Sequence, residues 1–150
     1  MIKIICVGKL KESYLKDAIE EYTKRLSRYT KLEIIELPDE SLKEKDKCLE
    51  LEGEKILKNI KDKDYVITLE IDGKMIDSIG FSKKIEILET TGNIVFVIGG
   101  SYGLSHQVKA RRNEAISFSK MTFPHQLFRV FLLEQIYRGY KIKNNESYHK

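Results

Sequence analysis

Apolar positions along this chain follow two alternating periods. Short runs rich in β-branched residues fall at Ile2–Val7, Leu32–Leu37, Tyr65–Ile71, Ile94–Ile98 and Ala115–Ser119. Such runs suit strands buried on both faces of a parallel sheet. Between them the spacing changes to three and four. Tyr14, Leu15, Ala18, Ile19, Tyr22 and Leu26 form one stripe of a helix over Glu12–Tyr29. Leu49, Ile56, Leu57 and Ile60 form another on a charged helix over Ser41–Ile60, whose early part, Leu42–Lys47, is expected to be loose. Gly53 weakens the middle of that helix by about 1 kcal/mol relative to Ala. Further helices are predicted over Ser78–Thr91 and His106–Asn113, and from about Pro124 to Lys143. Strands alternating with helices predict an α/β fold: a mostly parallel sheet of five to six strands, helices on both faces, in a single domain.

The last helix departs from the pattern of a surface helix. Leu127, Phe128, Val130, Phe131, Leu132, Leu133, Ile136, Tyr137 and Tyr140 cover more than half of it. It is expected to pack on two sides, one its own sheet and the other a partner subunit. The polar end, Asn144–Lys150, is expected to hang free unless something ties it down.

Composition narrows the function. Of 150 residues, 41% are hydrophobic and 33% charged, so the chain is globular, not disordered. No apolar run is long enough to cross a bilayer, and Met1–Leu10 lacks the features of a signal peptide, so the expected location is cytoplasmic. Cys6 and Cys48 show no metal-ligand spacing, and no metal is expected. The net charge of +4 permits a polyanionic partner without requiring one.

The candidate chemistry gathers between Ile94 and Gln126. The buried run Ile94–Ile98 stops at Gly99-Gly100-Ser101-Tyr102-Gly103, where three glycines in five positions let a ligand approach the backbone. Ser105 is placed to cap the following helix. The second strand end runs into Lys120-Met121-Thr122-Phe123-Pro124-His125. Both ends fall at the carboxyl edge of the sheet, where open α/β folds bind ligands. A dinucleotide site is a weak reading, because GGSYG is not GxGxxG. Anion binding at the helix after Gly103 is open on physics alone. So is a nucleoside-type ligand held by main-chain groups between walls of Leu69, Gly99, Phe118, Met121 and Phe123.

Ile94–Leu104 (IVFVIGGSYGL), Ile116–Ile142 (ISFSKMTFPHQLFRVFLLEQIYRGYKI) and the terminal SYHK resemble the RlmH family. These are SPOUT-class methyltransferases acting on N3 of a pseudouridine in 23S ribosomal RNA. The likeness extends to Ile4–Tyr14 (IICVGKLKESY) and Tyr65–Lys74 (YVITLEIDGK). The resemblance implies a C-terminal trefoil knot, a homodimer, and the assembled ribosome as substrate. It implies S-adenosylmethionine as methyl donor, held by Leu69, Gly99 and Phe118, Ser119, Lys120, Met121, Thr122 and Phe123. It implies that His149 assists loss of the imide proton, with Tyr148 stacking on or hydrogen-bonding the base. His125, beside the donor loop, is the rival. Lys120, Arg129, Arg138 and Lys150 are the expected contacts to RNA, with Lys109, Arg111 and Arg112 as further candidates. A non-enzymatic ribosome-binding or assembly factor on the same fold is the alternative.

Overall fold

The computed structural model describes residues 1–150. Its elements are β1 (Ile2–Val7), α1 (Ser13–Leu26), β2 (Leu32–Leu37), α2 (Lys45–Lys58), β3 (Tyr65–Met75), α3 (Ser78–Glu89), β4 (Ile94–Ile98), α4 (His106–Arg111), β5 (Glu114–Ser117) and α5 (His125–Lys143). The strands form one five-stranded sheet in the order β2-β1-β4-β3-β5, and every pairing is parallel. The central strand β4 is buried at all five positions, as a run without polar alternation requires.

Alternate residues of each strand feed two cores. Ile2, Ile4, Ile94, Phe96 and Ile67 pack with side chains of α1, α3 and α5. Ile5, Val7, Val95, Val97 and Val66 pack with side chains of α2 and α4. Burying one such aliphatic side chain contributes roughly 1.5–3 kcal/mol. A one-residue slip in register would exchange the two sets.

Three local expectations are corrected. Asp72-Gly73-Lys74 is not a turn that ends β3. The strand continues to Met75, and both Leu69 and Lys74 pair with Ile116, so the intervening residues bulge out of the ladder. A Cβ on Gly73 would lie 2.6 Å from the Ile116 carbonyl carbon, so only glycine fits there. Gly53 does not interrupt α2, and a side chain there would collide with Ser105, whose Cβ would lie 3.0 Å away. Of the start expected to be loose, Leu42–Glu44 lies outside α2, but Lys45–Lys47 is helical.

The breadth of apolar surface on α5 has a source within the subunit. α5 lies against both α1 and α3 as well as the sheet, burying Leu132, Leu133, Ile136, Tyr137 and Tyr140. α5 meets α3 at Gly139, whose carbonyl accepts from the Ser82 hydroxyl at 2.6 Å. Phe131 remains exposed, with Leu127 and Val130 half-buried beside it.

The C-terminal segment does not hang free. Glu146 accepts from the Tyr29 hydroxyl at 2.8 Å and pairs with Lys141 at 3.0 Å. The Tyr148 ring sits edge-on to Tyr137 and under the Arg138 guanidinium, 4.7 Å from its centroid. The sequence is polar here because the ties are polar.

Candidate methyl-donor and active site

The carboxyl ends of β3, β4 and β5 open onto a cavity of about 300 Å³. Its walls come from three places. The glycine turn after β4 supplies Gly99, Gly100, Tyr102 and Gly103. The segment after β5 supplies Phe118, Ser119, Met121, Thr122 and Phe123. The bulge of β3 supplies Leu69, Glu70, Ile71 and Asp72. Seven of the eight residues expected to hold the donor therefore line one cavity, and Lys120 alone does not.

Each wall has a local cause. Gly103 has φ +81°, a left-handed conformation that favours glycine. A Cβ on Gly99 would lie 2.6 Å from the Gly103 carbonyl oxygen, so the turn folds back on itself only because Gly99 has no side chain. Beyond β5, the Ser117 hydroxyl donates to the Ser119 carbonyl at 2.9 Å, and the Met121 N–H donates to Ser119 Oγ at 3.0 Å. Those two bonds bend the chain without regular structure and leave Met121 exposed. Phe118 is wedged between Phe81 and Phe128, and Phe123 packs on Phe128 and Phe131.

The sequence did not point to Glu70, Ile71, Asp72 and Lys109 as cavity residues. Glu70 accepts from the Thr68 hydroxyl and pairs with Lys109 at 3.7 Å and Arg112 at 3.6 Å. The Asp72-Gly73 dipeptide directly after an apolar run was the one available signal.

Several charged residues are engaged differently from expectation. Arg129 is a correction: it is 1% exposed, with Nη1 on Glu36 at 2.6 Å and Nη2 donating to the Gly8 carbonyl at 3.1 Å. It braces α5 against β2 and the turn after β1, and has no surface left for a phosphate. Arg111 donates to the carbonyls of Lys61 and Asp64, and Lys109 and Arg112 share Glu70. Lys120 and Lys150 are exposed and make no ion pair. The six-residue α4 is capped by Ser105, whose Oγ accepts from the Val108 N–H, which leaves little of an anion site. Cys6 is buried in β1, and burial pushes its thiol up to about 11, so it stays protonated and inert.

Tyr148 and His149 do not line the cavity of their own chain. Tyr148 donates to Glu134, which Arg138 Nε holds from the other side at 2.9 Å. Burial, and then the Glu134 carboxylate, raise the Tyr148 phenol far above its ordinary range, so it remains a donor. Arg138 Nη1 lies 3.2 Å from His149 Nδ1. His125, by contrast, is on the cavity wall, with Nε2 over Gly8. No helix is long and apolar enough to cross a membrane.

Comparison with known proteins agrees with this architecture. The family described as "Predicted SPOUT methyltransferase" matches residues 1–149. Proteins named ribosomal RNA large subunit methyltransferase H from Clostridium tetani and Clostridium botulinum are 60% and 59% identical, each over 99% of both chains. One from Methanococcus vannielii, named as putative, is 59% identical over the same share. Among solved structures, a probable methylase family protein from Haemophilus influenzae superimposes with a TM-score of 0.57. It covers 99% of this chain and 70% of that one at 13% identity, a likeness of fold alone. A full-length family match together with this level of identity means that the chain belongs to the SPOUT methyltransferases, within the RlmH family.

Proposed function

We propose that this enzyme methylates N3 of a pseudouridine in 23S rRNA of the assembled ribosome, using S-adenosylmethionine, as a cytoplasmic homodimer. The observation that carries the reading is the cavity at the carboxyl edge of the sheet, walled by the glycine turn and the Phe118–Phe123 bend. The fit to an adenosyl donor rests on two features. The tight turn at Gly99, Gly100 and Gly103 brings main chain to the cavity wall, and Leu69, Phe118 and Phe123 offer apolar faces. When bound, the donor supplies a sulfonium whose methyl carbon is already electrophilic. The chain's task is then to orient that carbon, exclude water, and favour the deprotonated imide.

Tyr148 and His149 suit the last part. A guanidinium only donates, so His149 Nδ1 accepts from Arg138 and the ring hydrogen sits on Nε2. His149 then offers an N–H donor to a carbonyl of the imide, which stabilises its anion as the proton leaves. Tyr148 offers a ring for stacking while Glu134 holds its hydroxyl. Because both residues stand away from their own chain's cavity, they serve the donor site of a second copy, and the exposed Phe131 belongs to the contact between copies. A trefoil knot goes with this reading, the chain after β5 threading the loop that precedes it. A crystal structure with that segment running outside the loop would remove the knot.

The test is direct. Purified protein is incubated with ribosomes from cells lacking the activity, and the rRNA is analysed by mass spectrometry. One new methyl group on a pseudouridine is expected. Donor binding without any methyl transfer would instead favour an assembly factor.

A further inference from the structure

One buried carboxyl group is not used by this chemistry. Glu52 lies mid-way along α2, is 2% exposed, and stands behind the glycine turn on the side away from the cavity. Its Oε2 accepts from the Glu40 N–H at 2.9 Å. Its Oε1 is buried and has no hydrogen-bond partner. A Cβ placed on Gly100 would lie 3.3 Å from that Oε1, so the free oxygen is directly beneath the turn. One residue on, Gly53 is pressed against Ser105, where the turn passes into α4. One turn back, burial and then the neighbouring Glu52 carboxylate raise the Cys48 thiol to about 11, so it stays neutral.

An unpartnered oxygen at this depth is costly, and an apolar side chain would fill the space more cheaply. Main chain close to that oxygen belongs to Gly100, in the turn that walls the cavity. We propose that Glu52 is a positioning residue of the donor site, its free Oε1 accepting main-chain N–H groups of the glycine turn when that turn closes on the donor. Glu52 touches neither donor nor RNA and acts through Gly100. The proposal rests on the reading of the cavity as the donor site.

Glu52→Gln keeps the size and one acceptor but places an amide beneath the turn; Glu52→Ala removes both acceptors. Binding of S-adenosylhomocysteine is measured by calorimetry, and amide hydrogen exchange of Gly99–Gly103 with and without it. The ligand is expected to protect the turn in the unaltered protein. Glu52→Gln should bind about tenfold more weakly and lose that protection. Its unfolding temperature without ligand and its KM for ribosomes should not change. Glu52→Ala should be weaker still. Unchanged affinity in Glu52→Gln overturns the proposal. So does a loss of affinity accompanied by an equal fall in ligand-free stability, which would make Glu52 merely structural. Failure of the unaltered protein to bind S-adenosylhomocysteine would instead overturn the reading of the cavity, and this inference with it.

Discussion

The glycine turn and the C-terminal tail are both parts of the active site proposed for this enzyme, and they are built in opposite ways. The turn is shaped by what its residues lack: Gly99 and Gly100 have no side chains, and its geometry is finished within one subunit. The tail is shaped by side-chain ties, Glu134 to Tyr148 and Arg138 to His149, and it ends away from the cavity of its own chain. A main-chain pocket holds a ligand in one subunit, whereas residues displayed on a docked tail are available to another. Donor binding and methyl transfer should therefore be separable.

Deleting Tyr148–Lys150 is the strongest test. Methyl transfer to ribosomes should fall by roughly two to four orders of magnitude, while calorimetric donor affinity stays within about twofold. A parallel loss of donor binding would mean that the tail belongs to its own chain's pocket. Gly99→Ala attacks the other region. Its Cβ meets the Gly103 carbonyl, so donor affinity should drop by about thirtyfold, close to 2 kcal/mol.

Arg129→Met separates scaffold from site. It leaves the Glu36 carboxylate with only the Leu10 N–H and removes a donor from the Gly8 carbonyl, so denaturant unfolding should report a loss of about 2 kcal/mol, moderated because Glu36 is partly exposed. KM for ribosomes at a temperature where the variant is folded should not move.

Acid should loosen the tail before the cavity. The Lys141 ammonium, followed by the Tyr29 hydroxyl, holds the Glu146 carboxyl below its ordinary value. A depressed carboxyl adds stability above its unfolded value and loses it as pH falls through the folded one. Proteolysis near Asn144–Lys150 should thus increase below the ordinary carboxylate range while donor affinity persists. Lys120→Ala should act least, weakening ribosome binding slightly and reducing its salt slope by about 1.

The sequence by itself determined the order and type of the ten elements, because apolar period reports burial wherever a strand or helix has a core to face. It also determined the two chain segments that meet at the cavity, since the glycines of GGSYG and the bend before Pro124 are local signals. Tertiary structure alone decided the rest. Arg129 looked like a helix-surface cation until α5 was packed against the turn after β1, a contact across 93 residues of sequence to Glu36. Asp72-Gly73 read as a turn until β5 pairing made it a bulge and turned Glu70 and Asp72 toward the cavity. Glu52 was one charge among many on the charged helix predicted over Ser41–Ile60 until the glycine turn was packed beside it. Each of these residues takes its meaning from a neighbour distant along the chain. Local period carries no record of such a neighbour, because which surfaces meet is decided only when the elements pack.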